Sequence, residues 1–141
     1  MKIVVIDGQG GRIGATLVEK LRAVLPTAEI LAIGTNSTAT AAMMKAGATA
    51  GATGENPILV ACRDASYILG PLAIIAADAL HGEVTPAMAV AIGQSTAAKI
   101  LLPLNRCNHY VAGAPELTMA ELVQHAANRL LALEAERQNG T

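Results

Sequence analysis

The sequence predicts an α/β fold: an open, mostly parallel, doubly wound sheet with helices on both faces, three layers in all. Three observations predict it. Short apolar runs recur along the chain, as strands buried on both faces require. Between them, apolar residues return at helical spacing. The first strand also leads straight into a glycine loop, Asp7-Gly8-Gln9-Gly10-Gly11-Arg12-Ile13-Gly14, that opens a helix. Strands separated by helices pair in parallel through right-handed crossovers.

Taken in order, Ile3 to Ile6 is the first strand, ended by Asp7-Gly8. Ile13, Leu17, Leu21 and Val24 mark a helix that Pro26 stops. Ile30 to Ile33 is the second strand, closed by Gly34. Ser37 to Ala46 reads as a helix with Gly47 as its stop. Ala48 to Ala52 reads as a short third strand and Glu55 to Arg63 as a helix. Ser66 to Leu69 is a fourth strand, ended by Gly70-Pro71, and Leu72 to Leu80 fits strand and helix equally. Thr85-Pro86 pairs a capping hydroxyl with a first-turn proline, a helix start. Ile100 to Leu102 is a fifth strand and His109 to Ala112 a sixth. Thr118 and Glu121 form a capping box for the last helix, with Leu117 and Leu122 as the staple. Leu122, Ala126, Leu130 and Leu133 line its buried face, and Glu121, His125, Asn128 and Arg129 its wet side.

A chain of 141 residues fits one domain, residues 1–141, since two would each be starved of core. At 52% hydrophobic it can bury an interior. With no Phe or Trp and only Tyr67 and Tyr110, that interior must be aliphatic. A net charge of -1 and scarce aromatics supply neither the positive footprint nor the stacking platforms of nucleic-acid binding. No apolar run approaches the roughly 20 residues of a membrane span. Cys62 and Cys107 stand far apart, and no signal peptide precedes the first strand. A cytoplasmic protein with reduced thiols is expected.

Ligands in such sheets bind beyond the carboxyl ends of the strands. Gly8 suits the tight turn there, and Gly10 or Gly11 lets backbone approach a phosphate. Gly14 lets the helix pack close to its strand, and the amides of the helix N-terminus then point at the anion. The expected ligand is a small phosphate-bearing molecule, with NADP or NAD foremost. Gly8, Gln9, Gly10, Gly11, Arg12, Ile13 and Gly14 form its cradle. Arg12 neutralises phosphate, Thr35 and Asn36 meet the ribose or its phosphate, and Gly70 borders the far end. Arg106 follows the fifth strand on the same edge and is a candidate ligand contact. If Gly11 is where backbone meets phosphate, Gly11→Val removes binding and spares the fold. If Gly11 instead holds a positive φ, Val strains the backbone.

Two features complicate a dinucleotide. The second strand ends in Gly34-Thr35-Asn36-Ser37, without the acid that binds a ribose diol, so NADP or a simpler phosphate is better tolerated than NAD is selected. Asp7 lies under the phosphate cradle. It either hydrogen-bonds loop amides and shapes the turn, the simpler role, or shares a Mg²⁺ with the ligand.

His81, Glu83, Cys107 and His109 are possible Zn²⁺ ligands, but no pair has CxxC or HExxH spacing, and a polar loop with an ordinary thiol is preferred. Cys107 with His109 lacks a third orienting group, so no catalytic residue is assigned. Cys62 belongs to the core, as do Met43 and Met44 as gap-fillers. Small faces such as Ala87, Ala89 and Ala91 allow close helix approach, and a homo-oligomer is expected.

The loop resembles the cofactor loop of dihydrodipicolinate reductases, a strand followed by Gly-x-x-Gly-Arg-hydrophobic-Gly. The match covers Gly8, Gly11, Arg12, Ile13 and Gly14 and ends with the first helix. It implies a dinucleotide and, through Arg12, a 2′-phosphate. These 141 residues are expected to hold no counterpart of the second domain that carries catalysis in those enzymes. The whole chain is similar to a short bacterial family known only as a domain of unknown function. Val-Ile-Asp-Gly-Gln-Gly-Gly, Gly34-Thr35-Asn36, Gly70-Pro71, Gly82-Glu83-Val84-Thr85-Pro86 and Pro103-Leu104-Asn105-Arg106-Cys107 carry that similarity. It implies a Rossmann-like domain and supplies no activity. Three functions stay open: a nucleotide-binding sensor or accessory protein, a small oligomeric NAD(P)-dependent enzyme whose site a second subunit completes, and a structural module with a vestigial loop.

Overall fold

Every strand of the sheet runs in the same direction, and the order in space is β3-β2-β1-β4-β5. The computed structural model describes residues 1–104 and 108–140. The strands are β1 (Ile3–Asp7), β2 (Ile30–Gly34), β3 (Ala50–Thr53), β4 (Tyr67–Pro71) and β5 (Ala98–Leu102). The helices are α1 (Arg12–Val24), α2 (Ser37–Lys45), α3 (Glu55–Ala61), α4 (Pro86–Gln94) and α5 (Met119–Asn139), with a 3₁₀ turn at Leu72–Ile75. This is the doubly wound order expected, and it yields a three-layer Rossmann-like fold.

Strand alternation builds the layers. Along β1, Val4 and Ile6 face a core shared with Ile58 of α3 and Met88 and Ile92 of α4. Ile3 and Val5 face the opposite core, with Leu17 and Leu21 of α1, Met43 of α2 and Leu130 of α5. All five residues of β1 are buried because a central parallel strand is covered on both sides. The chain leaves β1 toward β2 and returns on the other side at β4. Ligands in such sheets bind above this change of direction, and here the segment after β4 reaches back over the end of β1, where Glu83 accepts from the Gln9 amide.

Differences from the sequence reading concentrate at ends and loops. The fourth strand continues through Gly70-Pro71 rather than stopping before them. The ambiguous stretch is one 3₁₀ turn followed by a loop in which Asp78, Leu80 and His81 all have positive φ. No sixth strand forms at His109 to Ala112. That segment is exposed, and an isolated strand has no partner to pair with. Met44 is 39% exposed, whereas Met43 is buried as expected. The capping box of α5 is present: Thr118 Oγ1 accepts from the Glu121 amide and Glu121 Oε1 accepts from the Thr118 amide, both at 3.2 Å. Among the described residues no helix is long and apolar enough to cross a membrane.

Candidate functional site

Asp7, the last residue of β1, organises the loop from beneath. It is 2% exposed. Its Oδ1 accepts from the Gly8 amide at 2.8 Å and its Oδ2 from the Gly14 amide at 2.7 Å. Burial pushes its carboxyl above the ordinary range. The Gly14 and Gly8 amides oppose that shift, and the charge of Glu83 adds to it. The turn-shaping role is the one the geometry shows. With both oxygens engaged by amides, the alternative of a Mg²⁺ shared between Asp7 and a ligand has no support.

The glycines of the loop have separate duties. A Cβ on Gly8 would meet Thr35 Oγ1 at 2.6 Å and Glu83 Oε1 at 2.9 Å, so Gly8 lets the ends of β1 and β2 close on the Glu83 carboxylate. A Cβ on Gly14 would meet Met43 Sδ at 2.5 Å and Asp7 Cβ at 2.8 Å, which is the close helix packing expected of it. Gly11 has φ 72°, and a Cβ there would stand 2.7 Å from Ala39 Cα. Gly11 is thus a conformational and packing residue against α2, and the idea that Gly11→Val spares the fold is overturned. Gly10 alone in the loop is surrounded by open space.

That space is a cavity of about 340 Å³. The loop from Asp7 to Ile13 lines it on one side, and Leu104 and Met119 on the other. Arg12 is exposed at its rim, at the first position of α1. The Ile13 side chain is buried in the core below, so the residue offers its backbone rather than its side chain. Among the described residues, the Gly10 and Arg12 amides have no protein acceptor. Unpaired amides at a helix N-terminus suit an anion.

Thr35 and Asn36 lie at the tip of β2 beside the loop, yet both are already engaged. Glu83 Oε1 accepts from the Gln9 amide at 2.8 Å, from Thr35 Oγ1 at 2.7 Å and from Asn36 Nδ2 at 2.8 Å. Asn36 also donates to the Gln9 carbonyl at 2.9 Å and caps α2 by accepting from the Ala39 amide at 2.9 Å. Burial alone would raise the Glu83 carboxyl. The Gln9, Thr35 and Asn36 donors outweigh it and hold the group below its usual value, helped by His81. A carboxylate thus reaches the tip of β2 from the segment after β4, although Gly34 to Ser37 themselves include no acid. Gly82 precedes Glu83 at φ 89°, and Gln9 beside it has φ 49°. Such backbone concentrates at functional sites.

Other candidates scatter. Gly70 is buried inside β4, where a Cβ would collide with the Ile6 carbonyl oxygen. It serves strand packing and does not line the cavity. Arg106 and Cys107 lie outside the described residues. Among the described residues no three His, Cys, Asp or Glu side chains gather as a metal-ligand set. Cys62 is buried, and burial pushes its thiol up.

No curated protein matches the chain. Among solved structures it is similar to a dodecameric FMN-dependent UbiX-like decarboxylase from Escherichia coli O157:H7. The identity is 15% over 96% of this chain and 95% of that one, with a TM-score of 0.46. The sequence offers Glu83 only as a possible Zn²⁺ ligand, because only the fold brings it to Gln9. The one sign was its place in Gly82-Glu83-Val84-Thr85-Pro86, among the segments that carry the whole-chain similarity. The family model described as a domain of unknown function (DUF3842) matches residues 2–135, and the chain belongs to that family.

Proposed function

We propose that the chain binds a small phosphate-bearing ligand, a nicotinamide dinucleotide, in the cavity above β1, and acts as a sensor or accessory protein. The observation that carries this reading is the glycine loop itself. It places Gly10 and the start of α1 around a cavity of about 340 Å³ at the carboxyl end of β1, with Arg12 exposed on the rim. The phosphates lie against Gly10 and the Arg12 amide, and the Arg12 guanidinium offsets their charge. Among the described residues, the ionisable groups that line the cavity are Arg12 and the amide-bound Asp7. Neither makes a nucleophile and base pair, which favours binding over catalysis by this chain alone.

A second reading has its own observation. Asp7 and Glu83 consume the Gly8, Gly14 and Gln9 amides, as a purely structural loop would. Calorimetric titration of NAD, NADP, ATP and FMN into protein stripped of carried-over ligand separates the two. Micromolar binding of a dinucleotide supports the site. Heat with ATP or FMN alone moves it to a mononucleotide, and no heat with any of the four leaves the structural loop.

A further inference from the structure

We infer that Glu83 sets which nucleotide the site takes: it receives a ribose with free 2′- and 3′-hydroxyls and rejects a 2′-phosphate. The inference rests on the nucleotide site proposed above. In doubly wound sheets the ribose next to the phosphate cradle meets the tip of the second strand, where an acid accepts its hydroxyls. In this chain Thr35 and Asn36 occupy that tip, and neither can be a charged acceptor. Glu83 fills the position from another part of the chain. It is 74 residues from Gln9 in sequence and 2.8 Å from its amide in space.

The carboxylate is held in a defined pose. The Gln9 amide, Thr35 Oγ1 and Asn36 Nδ2 all donate to Oε1. Among the described residues nothing donates to Oε2, which leaves one oxygen open to a hydroxyl. A Cβ on Gly8 would stand 2.9 Å from Oε1, so the glycine lets the loop close on that oxygen. The loop that carries Glu83 is itself braced. The Asp78 amide donates to the Val84 carbonyl at 2.7 Å and the Val84 amide to the Ala79 carbonyl at 3.1 Å, across residues with positive φ. A conformation of that kind is maintained against its own strain, consistent with a side chain that must be placed.

Charge decides the specificity. A hydroxyl donates to a carboxylate, whereas a 2′-phosphate brings about two negative charges against it. The β2 tip, Gly34-Thr35-Asn36-Ser37-Thr38, supplies no Arg or Lys to offset them. The basic side chain that acts on Glu83 is His81, exposed on the same loop. Arg12, which the loop resemblance would assign to a 2′-phosphate, stands at the rim of the cavity lined by Leu104 and Met119. The site therefore suits NAD over NADP, opposite to the preference expected from the β2 residues alone.

The test is the ratio of dissociation constants for NAD and NADP, measured by calorimetry on the wild type and on Glu83→Gln. Gln keeps the size and an acceptor for the Gln9, Thr35 and Asn36 donors but removes the charge. The wild type is expected to favour NAD by at least about tenfold, and the variant to narrow that ratio by at least about tenfold. A wild type that binds NADP as tightly as NAD overturns the role of Glu83 and leaves the nucleotide site standing. A ratio unchanged in a normally melting Glu83→Gln does the same. Should Glu83→Gln fail to fold, the wild-type ratio still decides. No binding of either dinucleotide removes the site and this inference together.

Discussion

Glu83 Oε1 and the Gln9 amide lie 2.8 Å apart, and that bond ties the glycine loop to a loop on the far side of β4. The same oxygen gathers Thr35 and Asn36, so three separate segments close on one carboxylate. Glu83→Ala leaves three donors without their acceptor. Because the group is half-buried and water can replace part of the loss, the expected cost is about 1–2 kcal/mol. Urea unfolding of the two proteins measures it, and a variant as stable as the wild type would show the bonds to be incidental.

The two carboxylates of the site predict opposite pH dependences. Burial raises Asp7 in the folded protein above its ordinary 3.8. The folded state then holds a proton that the unfolded state has lost, so this contribution to stability falls as pH rises from about 3.8 through the raised value. Glu83 is lowered from 4.5, burial being outweighed by its three donors. Its contribution is present above about 4.5 and fades as pH falls through the lowered value. Unfolding free energies between acid and neutral pH should lose the first slope in Asp7→Asn and the second in Glu83→Gln. A slope that survives in its own variant assigns it elsewhere.

Gly11→Val should unfold the protein more easily with no ligand present. The residue would have to keep φ 72° and place a Cβ 2.7 Å from the Ala39 backbone. A cost of about 3 kcal/mol or more is expected from strain and overlap combined. Thermal melting of the ligand-free variant checks it, and an unchanged melting temperature would mean that α2 can move away.

The outer face of α4 predicts self-association. Val90 is 53% exposed there, beside exposed Ala87 and half-buried Ala91. Light scattering at micromolar concentration should give at least twice the mass of one chain, and Val90→Asp should reduce it to one. A monomeric wild type would refute the homo-oligomer.

The elements were readable in the sequence where one physical signal dominated. The apolar run Ile3 to Ile6 marked a doubly covered strand, and Thr118 with Glu121 marked the start of α5. Boundaries slipped where signals compete, as at Gly70-Pro71, which pack in β4 although both residues usually end strands. The exposed stretch His109 to Ala112 reads as a strand from its residues, but among the described residues no strand forms there, which a single segment cannot reveal. Half of the site was readable in the same way. Asp7, Gly8 and Gly14 have local duties that follow from their order in the loop. Glu83 does not, because its partners are set by the crossover from β4 and by Leu80 and His81 at φ 57°, for which neither residue type gives a cue.

The most direct measurement is ligand affinity and ligand-free stability of Gly10→Val, taken together. Gly10 lines the cavity, and a Cβ there meets nothing within 4 Å, so the fold has no reason to resist it. A ligand seated on the loop must meet the new side chain. The expected result is a ligand-free stability within about 0.5 kcal/mol of the wild type and an NAD affinity at least about tenfold weaker. Unchanged affinity at unchanged stability would contradict a ligand site on the glycine loop.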